Sequence, residues 1–479
     1  MACLSLVICG AVTPAKAATI VQGTLSTNTT WSPAQGAIVV ISNLVVPAGV
    51  TLTVLPGSTI QVTNATSIRA LHGGVIDIQG TAENKVFIRH TSGLTNGNWG
   101  GISAQFDSSI TVRHADIQGG QVSVHSNSVG VVEDSFLHDY VLFSGGTTLT
   151  LPILLAQHAA PLIVRRTIFR EYYEVLLRHG VHTLEDCVFE WIYGDGLDFD
   201  SALEGTVLRA CTFRHSVLAN VDGIDIGIDG VNGCTNVQIR DCWIYDFPND
   251  KGISIGDLGR SHGTVVSNCL ISGCLAGIGN KDNCTTTVAQ STIVNCGAGI
   301  SNYFRADPAS PTGGGRITNS YNNILWNNGR AIHNLNGGEL VARHSDFGGT
   351  NFAGPGMINA NPLFVNPAGG DYRLQPASPC AGTGLGGTDM GAILPVGSPM
   401  ASSNPRIESI VRQDNSAIVR FWADNERSYS VLCSEAVSGG AWTKVADVFP
   451  AVIPRRAAVT NSVPAAQSRF YRLVSPAQP

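Results

Sequence analysis

The stretches "GDGLDFD" (194–200), "VDGIDIG" (221–227) and "NDKGISIGD" (249–257) decide the fold. Each alternates apolar with polar residues. Leu197/Phe199, Ile224/Ile226 and Ile253/Ile255 therefore face one way and Asp198, Asp225 and Ser254 the other, as in strands buried on one side. "LAGIGNKD" (275–282) and "GAGISNY" (297–303) carry the same frame onward without the acids. Strands of one repeated pattern are expected to stack over a shared apolar interior.

A longer register leads to the same conclusion. Ile168-Phe169, Val188-Phe189, Thr212-Phe213, Trp243-Ile244, Leu270-Ile271, Thr292-Ile293 and Ile324-Leu325 align at steps of 20, 24, 31, 27, 22 and 32 residues. The residues before them form a column of Thr167, Cys187, Cys211, Cys242, Cys269, Ser291 and Asn323. A helical repeat would keep its period, whereas a parallel β-solenoid keeps its strands and lets the turns vary.

With 479 residues, 54 glycines and 13% charged residues, the chain suits one large domain and one small one. The formal charge of −6 and the lack of a basic cluster argue against nucleic acid as a partner. The apolar start ending in Ala15-Lys16-Ala17 fits a secretory leader over 1–17, although without the usual basic opening, and implies a secreted, extracellular protein. No later segment is apolar enough to span a membrane as a helix, and a monomer is expected. The Pro/Ser-rich stretch at 396–405 reads as a linker between a solenoid over 18–395 and a small β-sandwich over 406–479. That last module suits adhesion or carbohydrate binding, and equally a folding appendix.

Ten cysteines follow the leader. The ladder cysteines read as stacked core thiols. Cys274 and Cys296 lie five residues beyond successive ladder positions, so a disulfide is expected there.

The polar face carries the chemistry. One column reads Asp195, Asp222, Lys251, Ala276, Ala298, Arg330, and the next reads Asp198, Asp225, Ser254, Gly279, Ser301, His333. With coils stacked about 4.8 Å apart, like charges repel at a cost of about 1 kcal/mol or more per pair. Calcium or a neighbouring cation such as Lys251 or Lys281 could neutralise them. Gly227, Gly256 and Gly279 would leave the adjoining face bare. A solvated Asp/Lys ladder without chemistry is about equally well supported. Tyr172 and Tyr173 could form a sugar platform, although rim packing is favoured, and His333 suits a surface histidine.

"VVPAGVTLTVLPGSTIQV" (45–62) and "GGVIDIQGTAENKVFIRH" (73–90) resemble the opening rungs of right-handed parallel β-helix proteins of the pectin-lyase-like kind, and "NPLFVNPAGGDYRLQPASPCAGTG" (361–384) resembles their closing segment. The expected fold is thus all-β, a right-handed parallel β-helix followed by the small sandwich. "GDGLD" and "NVDGID" are similar to strands of calcium-dependent pectate lyases. That resemblance implies Ca²⁺ held by Asp198, Asp222 and Asp225 with Lys251 as base, but the doubled Asp-Asp of those enzymes is absent. The same strings resemble polygalacturonases, without their Gly-His-Gly and Arg-x-Lys motifs. Strings in CotH-like secreted bacterial proteins are also similar, and that likeness marks Asp200, Asp225, Asp250, Lys251, Asp257, Lys281 and Asp282 as a site.

The candidate catalytic residues are therefore Lys251, Asp250 and Lys281, with Asp200, Asp257, Asp282 and Tyr303 expected to touch substrate. The favoured reading is a Ca²⁺-assisted lyase on an acidic polysaccharide or cell-surface glycan. A hydrolase pairing Asp198 or Asp225 with Asp250, and a non-catalytic adhesion stalk, are the alternatives.

Overall fold

The structure is a computed structural model. It describes residues 17–92, 99–144, 147–149, 151–305 and 313–393, then 407–413, 415–423, 428–436, 441–449, 455–463 and 469–475. The expected leader and linker lie almost wholly outside these residues.

Each coil of the first unit has three faces. In one coil the strands are Leu162–Arg165, Ile168–Tyr172 and Glu174–Arg178, and in the next they are His182–Glu185, Val188–Ile192 and Leu197–Asp200. The first face stacks into a 13-stranded parallel sheet, and the second and third merge into a 24-stranded one. The pairings match the columns read from the sequence. Leu197 pairs with Ile224, Ile224 with Ile253, Ile253 with Ile278, Ile278 with Ile300 and Ile300 with Ile332. Leu197, Phe199, Ile224, Ile226, Ile253 and Ile255 are all buried, so the fold is a parallel β-helix with a continuous interior. Phe169, Phe189 and Phe213 stack inside it, with ring centroids 5.0 and 4.3 Å apart.

The turn between the first and second faces is a single residue in the left-handed region: Arg166, Asp186, Ala210, Asp241, Asn268 and Gln290 all have φ between 48° and 56°. The residue that follows is the ladder column, and the corner explains its chemistry. Its side chain turns inward and donates to the carbonyl two residues back. Thr167 Oγ1 reaches Arg165 O at 3.0 Å, Cys187 Sγ reaches Glu185 O at 3.2 Å, Cys211 Sγ reaches Arg209 O at 3.3 Å and Ser291 Oγ reaches Ala289 O at 2.9 Å. Thr, Cys and Ser interchange there because each is small and carries a donor.

The expected Cys274–Cys296 disulfide is absent; both are buried free thiols. In-register stacking points the two side chains the same way, and each thiol donates to the carbonyl two residues before it, Ser272 O at 3.5 Å and Val294 O at 3.4 Å.

A second compact unit contains Pro395–Pro479. Ile407–Gln413, Ser416–Ala423 and Arg455–Ser462 form one antiparallel sheet, and Tyr429–Ser434, Thr443–Val448 and Phe470–Val474 another. Val419, Phe421, Tyr429, Val431 and Tyr471 form their common core.

Alkylation of the denatured protein without reductant should modify all ten cysteines from Cys187 to Cys433. A disulfide-linked peptide containing Cys274 and Cys296 would contradict this packing.

Candidate active site

On each of the first two faces there is a run in which acids and bases alternate from coil to coil. Glu133 accepts from Arg113 and Arg165, and Glu185 from Arg165 and Arg209, at 2.9–3.2 Å. On the second face Glu190 lies between Arg170 and Arg214. The third face breaks this rule. Asp198 pairs directly with Asp225 on the next coil, with no base between them.

The acids are also short of partners. Asp198 Oδ1, Asp225 Oδ1 and Ser254 Oγ, successive in one column, are buried without a hydrogen-bond partner among the described residues. Asp200, mostly buried, has its Oδ2 fixed by Arg178 Nε at 2.9 Å. Its other oxygen turns over Gly227, where a Cβ would lie 2.9 Å from Asp200 Oδ1 and 3.6 Å from Asp198 Oδ1. Gly227 is therefore not a bare patch; the carboxyls of neighbouring coils use its empty side-chain space.

The column before the strand is a relay of backbone contacts. Asp195 Oδ1 accepts from Asp222 N at 2.8 Å, and Asp222 Oδ1 accepts from Lys251 N at 3.0 Å. Lys251 Nζ closes the relay, 3.1 Å from Asp222 Oδ1 and in contact with Asp250 Oδ1. Its aliphatic stem lies across Gly279, again filling room that glycine leaves. Lys281, almost sealed from solvent, pairs with Asp257 Oδ1 at 3.3 Å, and Arg305 meets the same oxygen at 2.8 Å.

Burial and stacking shift the protons. Burial first, then the charge of Asp225, pushes Asp195 up to about 7. The same two causes raise Asp198 and Asp222 well above the usual carboxylate range, although Lys251 opposes the shift at Asp222. Burial works against the Lys251 ammonium, but Asp222 and Asp250 outweigh it and hold the proton more tightly than in a free lysine. Burial also opposes the charge of Lys281, and Asp225 and Asp257 override it. Burial raises Tyr303, against the pull of Lys281 and Lys251. Glu174, on the coil before Asp198, is raised to about 7, chiefly by burial.

Of the residues singled out in the sequence, Asp195, Asp198, Asp200, Asp222, Asp225, Asp250, Lys251, Asp257, Lys281 and Tyr303 lie on or beside this face. Two do not fit their expected roles. Asp282 is fully buried at a corner and its Oδ1 accepts from Arg305 N at 2.7 Å, which removes it from substrate contact. Tyr172 is interior, donating to Gly196 O at 2.8 Å, so only Tyr173 of the tyrosine pair remains partly exposed. Arg178 and Arg305 were missed because their carboxylate partners, Asp200 and Asp257, lie on other coils.

Calcium was expected on Asp198, Asp222 and Asp225. Among the described residues no group of three or more carboxylate, histidine or thiol side chains is arranged to hold a metal ion. Asp222 Oδ1 lies 3.1 Å from Lys251 Nζ.

Residues 153–310, which include most strands of this face, match the family model described as a right handed beta helix region. No curated protein matches the sequence. Among solved structures, the chain is similar to the A-module of a mannuronan C-5 epimerase from Azotobacter vinelandii, at 12% identity over 68% of this chain and 91% of that one, with a TM-score of 0.32. It is also similar to a mutant tailspike protein of E. coli bacteriophage HK620, solved with a pentasaccharide, at 10% identity over 95% and 87% of the two chains, with a TM-score of 0.30. A third likeness is to a tailspike protein of Acinetobacter baumannii bacteriophage Fri1, a capsular polysaccharide depolymerase, at 12% identity over 96% and 82%, with a TM-score of 0.25. At these identities and TM-scores the likenesses bear on neither substrate nor reaction. Residues 153–310 thus lie in a right-handed parallel β-helix.

A carboxyl whose pKa rises on folding lowers stability as pH climbs from its unfolded to its folded value, here from 3.8 to about 7 for Asp195. Asp195→Asn keeps the oxygen that accepts from Asp222 N but has no proton to lose. The variant should therefore melt at a higher temperature than the parent at about pH 8 and gain nothing at about pH 4. Equal melting temperatures at the higher pH would remove the buried-acid account of Asp195.

Proposed function

We propose that the third face cleaves glycosidic bonds of an acidic polysaccharide by paired-carboxyl chemistry, with Asp198 as the proton donor and Asp225 as the carboxylate. The supporting observation is geometric: Asp198 and Asp225 stack in register on adjacent coils, each with a buried carboxyl oxygen that has no hydrogen-bond partner among the described residues, and burial with the Asp225 charge raises Asp198 above the usual carboxylate range. Acid–base cleavage requires two such groups, because one must give a proton while the other stabilises or attacks the anomeric carbon.

Their register adds a stereochemical expectation. Adjacent rungs stand about 4.8 Å apart, close to the roughly 5–5.5 Å between the carboxyls of retaining glycosidases. Asp225 then acts as nucleophile. Asp198 protonates the leaving oxygen and, once deprotonated, takes a proton from the water that releases the sugar. Lys251 keeps Asp222 and Asp250 paired beside the reacting carboxyls, and Tyr303 presents a hydroxyl along the same face. The substrate is an extracellular polymer, which suits the secretory leader expected over residues 1–17.

The lyase alternative needs Lys251 to shed its proton, and Asp222 and Asp250 oppose that. A bound cation would have to reverse the local field first. Calcium belongs in the test for this reason.

On a panel of uronate-containing polysaccharides, hydrolysis should yield reducing ends without the ultraviolet absorbance of an unsaturated uronate, with or without calcium. Asp198→Asn and Asp225→Asn should each lower kcat by about 100-fold or more while the protein stays folded. For the parent enzyme the rate should fall on the alkaline side, where the donor loses its proton. Unsaturated product that depends on calcium would replace hydrolysis with elimination. No product on any polymer would leave the stalk reading.

A further inference from the structure

Beside the acidic face, at the corner that follows its strands, lies a cavity of about 450 Å³ that none of the chemistry above uses. Chain continuity places it there: Ser201 follows Asp200, His179 follows Arg178, and both line it. Its outer wall is the short hairpin formed by Ile224–Asp229 and Asn232–Gly233. The hairpin is held by one buried hydroxyl: Ser201 Oγ accepts from Asp229 N at 2.8 Å and donates to Asn232 O at 2.6 Å. The wall is thus built into the coil.

The lining differs in character from the face next door. It contains His179, Arg260 and His262 and no carboxylate. Arg260 commits one guanidinium nitrogen, Nη1, to Gly230 O at 2.6 Å. Its remaining N–H groups suit a planar anion, since guanidinium offers five donors. His179 Nε2 faces Asp229 Oδ2 at 3.4 Å, which anchors that ring at the rim. Leu203 and Val231, 48% and 75% exposed, add the apolar surface that the C–H side of a sugar ring can cover.

We propose that this cavity is a subsite for an anionic sugar residue of the polymer, recognised through Arg260 with His262 beside it. The inference rests on the reading of the neighbouring face as a glycan-cleaving site and adds the substrate's charge as the feature recognised. It divides labour along the coil: the stacked carboxyls act on the bond, and the corner that holds Arg260 selects a negatively charged ring. A carboxylate and a sulfate ester both present oxygens that guanidinium donors bind, and the two are separated by the probes below.

The test is equilibrium binding to the full-length chain carrying Asp225→Asn, so that ligands are not consumed. The probes are a galacturonic acid oligomer, the same oligomer with its carboxyls reduced, and a sulfated galactose oligomer. At least one anionic oligomer should bind about tenfold or more tightly than the neutral one, and Arg260→Gln should abolish that preference without weakening the neutral ligand. Which anionic oligomer binds identifies the anion. A preference that survives in Arg260→Gln, or no preference before the substitution, overturns the subsite. Cleavage of glycans by the Arg260→Gln chain with its original Asp225, together with unchanged preference, would leave the hydrolytic reading standing and remove the subsite alone. Preference lost on Arg260→Gln in a protein that cleaves nothing would do the reverse.

Discussion

Everything in the β-helix follows from in-register stacking. Parallel pairing places each residue over its counterpart one coil on, about 4.8 Å away, so the chemistry of one position is repeated or opposed by the next. An apolar column becomes an interior, as with the stacked Phe169, Phe189 and Phe213. A charged column must be neutralised coil by coil. Along part of the first face it is, through the alternation of Arg165, Glu185 and Arg209.

The third face keeps acid over acid, and that exception gives it its properties. Burial and the charge of Asp225 together favour retained protons on Asp195 and Asp198. Pairing returns only one coil later, where Lys251 takes Asp222 and Asp250. A cluster that costs stability as pH rises toward neutrality is readily understood if the retained protons are used. The lysine in "NDKGISIGD" marks the boundary of the cluster, and its tight proton makes it an anchor and a poor base.

Much of this was legible beforehand because a strand's period of two is short and strict. Asp198 over Asp225, Asp222 before Lys251, and the six buried aliphatic and aromatic residues beneath them follow from alternation plus one alignment. What escaped lies in the turns. The left-handed corners at Arg166, Asp186 and Ala210 share no residue type, since stacking imposes the conformation, and so the Thr/Cys/Ser column looked like small packing when it is a column of donors. Asp282 and Tyr172 looked available because an alternating pattern does not say where a corner turns a side chain inward. Arg178 on Asp200 and Arg305 on Asp257 are contacts between coils separated by loops of unequal length, which local spacing does not encode.

The central claim is that stacked, unpaired carboxyls on the third face hold protons near neutral pH. It is tested most directly by following the aspartate carboxyl carbons by NMR through a pH titration of the folded protein, with Asp195→Asn and Asp198→Asn used to assign the signals. The account predicts that the Asp195 signal titrates near 7 and that the Asp198 signal also titrates above the ordinary carboxylate range. Both signals titrating at or below about 4, the value of free aspartate, would contradict it.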